Sequence, residues 1–99
     1  VVRFVDAGRP VSKVAVVGGS GGDQIEAALL AGCDTLVTAD VKHHQFLEAQ
    51  DRAFNLIDAG HYHTERPVLD AVYALLQQRH PELTLLRSSA LEQDRVLIV

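Results

Sequence analysis

Val14-Ala15-Val16-Val17-Gly18-Gly19-Ser20-Gly21-Gly22 is the stretch on which the fold class turns. A continuous apolar run that stops on glycines suits a strand buried on both faces, as parallel sheets require. Ile25, Ala28 and Leu29 then form a helical stripe between Asp23 and Ala31, and Gly32 supplies a stop in the left-handed conformation. Thr35-Leu36-Val37-Thr38 reads as the next strand, ending at Ala39-Asp40. Strand, helix and strand in close succession predict right-handed crossovers and a mostly parallel sheet with flanking helices, an α/β class.

The alternation continues outward. Val1–Val5 reads as a short strand closed by Asp6-Ala7-Gly8-Arg9-Pro10. Val41 to Gln50 reads as a helix with Phe46 and Leu47 inward, and Ala53 to Ile57 as a buried strand ending in Asp58-Ala59-Gly60. Val68, Leu69, Val72, Leu75, Leu76 and Arg79 mark the strongest helix, a stripe at 3.6-residue spacing with an amphipathic edge. Thr64 is its expected N-cap, which places Glu65 in the first turn and Pro67 where no helical hydrogen bond is lost. His80-Pro81 stops it; Leu83 to Leu86 and Val96 to Val99 read as two further strands.

The chain has 99 residues, 47% of them hydrophobic and 22% charged, which suits one globular domain over residues 1–99. No apolar stretch approaches the ~20 residues of a bilayer span. The net charge of −4 and the five aromatic residues give no support to nucleic-acid binding. A single cysteine, Cys33, excludes an internal disulfide and points to a reducing, cytoplasmic setting; with no second cysteine or nearby base it reads as a small packed residue. The chain has no Met and starts on an apolar run, which reads as a piece of a longer chain. A processed or engineered terminus is the other reading, and no signal-peptide pattern is visible.

In parallel sheets, ligands bind outside the carboxyl ends of the strands. Three predicted strands end there in polar groups: the glycine cluster, Asp40 with His43 and His44, and Asp58 with His61, His63 and Glu65. The glycines with Asp40 some twenty residues on evoke a dinucleotide loop, but the G-x-G-x-x-G spacing fails at Gln24. A tight turn in which backbone approaches its neighbours explains them as well. In Gly60-His61-Tyr62-His63-Thr64-Glu65, an imidazole and a carboxylate converge near a helix start, a donor set for Zn, Mn or Fe. A solvated loop with Glu65 serving only the helix dipole fits the same spacing. Two ligands are too few for a catalytic metal, so the others come from elsewhere. His44 and Glu48 are i,i+4 neighbours, so the carboxylate is expected to orient His44; His43 is expected to pack with Phe46 and Leu47.

The order of these motifs resembles the Nif-three-like dinuclear-metal proteins, the GTP cyclohydrolase type 2 homologues. It rests on Val14–Gly21, Ala31-Gly32-Cys33-Asp34, Val37-Thr38-Ala39-Asp40-Val41-Lys42-His43-His44 and Asp58 to Glu65, over about residues 2 to 88. The resemblance implies the carboxy-terminal lobe of a two-lobe α/β protein. It implies two divalent ions (Zn, Fe or Mn) held by a His-His pair and an Asp from the amino-terminal part, with a His and a Glu that fall on His61 and Glu65. His44 matches a characteristic His and is expected to line the site or handle a proton; His63 falls on a variable position. A homo-oligomer, typically a toroidal hexamer, is implied. So is metal-assisted hydrolysis of a small molecule, with ring-opening of a purine nucleotide as the named reaction. A metal-binding regulatory or interaction module without turnover is the alternative. A nucleotide-cofactor domain, resting on the glycine loop, is the third reading.

Overall fold

The structure, a computed structural model, describes residues 1–90. The expected strand at Val96–Val99 lies outside them. The described residues form a four-stranded sheet: β1 (Arg3–Val5), β2 (Val14–Ser20), β3 (Thr35–Ala39) and β4 (Asn55–Asp58), in the order β1-β4-β3-β2. The pairs β2–β3 and β3–β4 are parallel, and β1 runs antiparallel along β4. The α/β class and mostly parallel sheet are therefore as the sequence predicts. A single turn of 3-10 helix (Gly22–Gln24) leads into α1 (Ile25–Leu30), and α2 (His43–Asp51) joins β3 to β4. Gly32, at φ 79°, ends α1 in the expected left-handed stop.

Register sorts the side chains into two faces. Ala15, Leu36, Leu56 and Val5 stand opposite one another across all four strands. On that face Leu36 and Leu56 are fully buried, together with Ile25, Ala28, Ala49 and Phe54 from the α1 and α2 side. Burial of a Leu, Ile or Phe side chain stabilises by about 1.5–3 kcal/mol, so this layer supplies most of the driving force. Cys33 belongs to the same cluster, the packed role its isolation predicts.

The other row is Val16, Val37, Ile57 and Phe4. Val16 is 69% exposed and Phe4 65%. The expectation that Val14–Val17 is buried on both faces is thus not met, because on the second face the short helical segment at residues 61–65 reaches only the Gly18–Gly19 end of β2 and leaves Val16 uncovered. The long helix α4 (Pro67–Arg79) forms as its stripe predicts, yet Val68, Leu69, Val72 and Leu75 are each about half exposed. Leu83 to Leu86 forms no strand: Leu85 instead lines a depression on α4 with Tyr73 and Leu76, so its apolar character goes to a helix, not a ladder.

The start of the helical region also differs. Helix α3 (His61–Glu65) begins one turn before the expected N-cap, with Gly60 at φ 91° outside it. Thr64 lies inside α3, its backbone N–H bonded to the Gly60 carbonyl, so it cannot cap α4. Arg66 keeps helical angles between α3 and α4, and Pro67 takes the first position of α4, where its missing N–H costs nothing.

Candidate functional site

Strands β3 and β4 end side by side, Thr38 opposite Asp58. Each hands its next loop to the same edge of the sheet. Asp58 fastens the two loops together. Its Oδ2 accepts the Val41 N–H at 3.1 Å and the Arg3 guanidinium at 2.6 Å; its Oδ1 accepts the Gly60 N–H at 3.1 Å. Burial pushes the Asp58 carboxyl up, but the donors from Val41, Arg3 and Gly60 outweigh it and hold the group below its ordinary value. The β3 and β4 loops thus leave the sheet at a fixed separation.

Asp40 and His61 are what those loops present. Asp40 adopts φ 51°, in the left-handed region that aspartate tolerates better than most residues. Its Oδ2 lies 2.6 Å from His61 Nδ1. One turn along α3, Glu65 Oε2 lies 3.1 Å from His61 Nε2. The ring thus has a carboxylate at each nitrogen, and all three side chains are about half exposed. The hydrogen bond to Asp40 and the negative charge of Glu65 raise the His61 pKa above its ordinary value.

The glycine loop walls this cluster. Gly19 sits at φ 70°, and a Cβ there would land on Glu65 Oε1 and come within 3.2 Å of His61 Nε2. Its N–H donates to Thr64 Oγ1 at 2.9 Å, and Thr38 Oγ1 donates to its carbonyl at 3.0 Å. Thr64 Oγ1 in turn donates to the His61 carbonyl at 3.1 Å. Glycine is required here for close approach to the protein's own site. A Cβ at Gly21 would meet Thr38 and Val17 and one at Gly22 would meet Gln45, and Asp40, the acid of the dinucleotide reading, is engaged by His61.

The structure brings His61 and Glu65 together, and adds Asp40, which no spacing rule links to them. The one hint in the sequence is that Asp40 and Asp58 both end strands at the same edge. His44 is exposed on the first turn of α2, and no hydrogen bond or ion pair among the described residues joins it to the cluster. Glu48 does not orient it: that carboxylate turns to Arg52, itself held by Glu26, where a permanent cation outcompetes an imidazole. His43 is exposed beside Arg3 and Phe46, not packed, because Ala49 carries the inward face of α2. The His63 ring stands edge-on to Tyr62.

His61 Nε2 and Glu65 Oε2 are spaced as neighbouring ligands of one ion would be, since two donors each ~2.1 Å from a metal sit about 3 Å apart. Among the described residues, however, no three His, Cys, Asp or Glu side chains converge as a cage. Nor is any helix among them long and apolar enough to cross a membrane.

Known proteins share both the sequence and the architecture. A GTP cyclohydrolase 1 type 2 homolog of Nostoc sp. (strain PCC 7120) is 49% identical over 67 residues, 68% of this chain and 26% of that protein. One from Staphylococcus aureus (strain MSSA476) is 38% identical over 79 residues, 79% of this chain and 21% of the relative. The chain therefore spans about a quarter of the length of these relatives. The crystal structure of Staphylococcus aureus protein SA1388 superposes with a TM-score of 0.80 at 28% identity, covering 100% of this chain and 29% of that one. A Bacillus cereus protein related to NIF3 gives 0.69 at 27% identity, covering 99% and 28%. The model of the DUF34/NIF3 (NGG1p interacting factor 3) family matches residues 1–94. With the match running over nearly the whole chain and the sheet shared with solved relatives, the chain belongs to the DUF34/NIF3 family.

Proposed function

We propose that this chain contributes His61 and Glu65 to a divalent-metal site of a hydrolase-like protein, the remaining ligands coming from outside the described residues. The observation that supports this is the 3.1 Å separation of His61 Nε2 from Glu65 Oε2, at a half-exposed strand end from which Gly19 withholds any side chain. A neutral imidazole and a carboxylate suit Zn, Fe or Mn, and with the dinuclear site implied by the family resemblance the full protein would hold two ions. Such ions lower the pKa of a bound water and polarise a substrate. The chain's own part is to hold the two donors at the proper spacing and to keep the approach open. His44 is proposed to line that approach. The name carried by the relatives points to a purine nucleotide as the small-molecule substrate. A homo-oligomer is part of the same proposal.

Metal analysis of the complete protein tests the site. Stoichiometric Zn, Fe or Mn is expected in the wild type, with loss of most of it in the His61→Ala/Glu65→Ala double variant. Wild-type protein free of metal, or a double variant that keeps it, sinks the assignment. Turnover of GTP that disappears in the double variant separates an enzyme from a binding module; metal retention without turnover favours the module. The family description as an interacting factor and the open Phe4–Val16 face give that second reading its support.

A further inference from the structure

Asp40 is drawn into the cluster from another element, and its geometry assigns it a task distinct from that of Glu65. The two nitrogens of an imidazole point to opposite sides of the ring. A cation on Nε2 beside Glu65 is therefore out of reach of a carboxylate seated on Nδ1. Asp40 Oδ2 is 2.6 Å from Nδ1, the shorter of the two contacts, against 3.1 Å for Glu65 at Nε2. A neutral imidazole carries one proton, and that proton goes to the nitrogen with the closer, better-seated acceptor.

The backbone around Asp40 is built to keep that acceptor in place. Residue 40 stands in the left-handed region at φ 51°, which costs a non-glycine residue free energy and redirects the chain as it leaves β3. The next N–H, of Val41, is pinned on buried Asp58, and the Ala59 N–H is bonded to the Thr38 carbonyl at 2.8 Å. The loop that bears the carboxylate and the loop that bears the ring are thus tied to each other independently of the Asp40–His61 contact.

We propose that Asp40 is the positioning residue of this site: its carboxylate holds His61 in the Nδ1–H tautomer, turning the Nε2 lone pair toward Glu65 for a divalent cation. This rests on the metal reading above and adds to it the residue that sets the ligand's orientation. Outer partners of this kind tune metal affinity by about 10–100-fold.

The left-handed angle supplies the controls. Glycine adopts it freely, so Asp40→Gly removes the carboxylate without straining the loop; Asn also tolerates it and keeps an acceptor, so Asp40→Asn is the conservative rescue. Imidazole 15N NMR on the metal-free full chain, with the ring neutral, reads the tautomer. His61 is expected as Nδ1–H in the wild type and in Asp40→Asn, and as predominantly Nε2–H in Asp40→Gly. Zn2+ titration of the same proteins is expected to show binding weakened about 10–100-fold in Asp40→Gly and only a few-fold in Asp40→Asn. A wild-type ring in the Nε2–H form overturns the role of Asp40, as does an Asp40→Gly variant that matches the wild type in Zn2+ affinity. Absence of Zn2+ uptake by the wild type overturns the metal reading itself.

Discussion

Strand β3 carries an aspartate at each end, and the two have opposite fates. Asp34, just before the strand, is 4% exposed. It accepts the N–H groups of Ser12 (2.8 Å) and Lys13 (2.9 Å) and the hydroxyls of Ser12 (2.7 Å) and Thr35 (2.6 Å). The Thr35 hydroxyl above all, then the donors from Lys13 and Ser12, hold its carboxyl far below the usual carboxylate range. Asp40, just after the strand, is half exposed, sits at a left-handed angle and meets one imidazole. The same residue type is sealed into the frame at one end and offered outward at the other. What separates them is the number of donors that converge, four on Asp34 and one imidazole on Asp40.

The largest expected effect breaks this contrast at the sealed end. Asp34→Ala leaves two backbone N–H groups and two hydroxyls without their acceptor. It is expected to lower the melting temperature more than any other change considered, whereas Asp40→Asn leaves it within the error of a thermal melt. Equal losses in the two variants would erase the distinction between frame and site. A smaller effect tests the link between the sealed strand and the open end. Thr38 is fully buried and donates to the Gly19 carbonyl, so Thr38→Val is expected to cost about 1–3 kcal/mol in urea unfolding and to weaken Zn2+ uptake by loosening the glycine wall.

The smallest effect is also the most diagnostic, because the two ends respond to pH in opposite senses. Asp34 has a lowered pKa, so its contribution is present above the unfolded value near ~3.9 and is lost as pH falls through the folded value. His61 has a raised pKa, so its contribution is complete below ~6.5 and is lost as pH rises through the folded value. Stability measured across pH should therefore lose part of its acid-side slope in Asp34→Asn, the rest staying with carboxylates such as Asp58, and its slope just above pH ~6.5 in His61→Gln. A shallow slope is expected for His61, since solvent screens a half-exposed ring.

The strand and helix order was legible in the sequence because local patterns carry it. Val14–Val17, Thr35–Thr38 and the Val68–Leu76 stripe each announce their element within a few residues. Coverage was not legible. A run such as Val14–Val17 reads alike whether one or both faces are packed, and only the register with Val37, Ile57 and Phe4 exposes the open row. The helix start slipped because Thr64 is a good capping residue by type, yet Gly60 turns the chain first and Thr64 goes to Gly19. At the site, His61 and Glu65 were within reach because they share one helical turn. Asp40 joins them from 21 positions away, and Glu48 deserts His44 for Arg52; both outcomes depend on tertiary neighbours.

Arg3 gives the molecule an order in time. Its guanidinium, stacked over the Phe46 ring, bonds to Val41 and Asp58, partners 38 and 55 positions further along the chain. Contacts between such distant residues form late, after the loops between them have closed. On a growing polypeptide the first strand must wait, unpaired along one whole edge, until β4 has been made. The clasp that ties the Asp40 loop to the end of β4 can therefore close only after both of those segments exist.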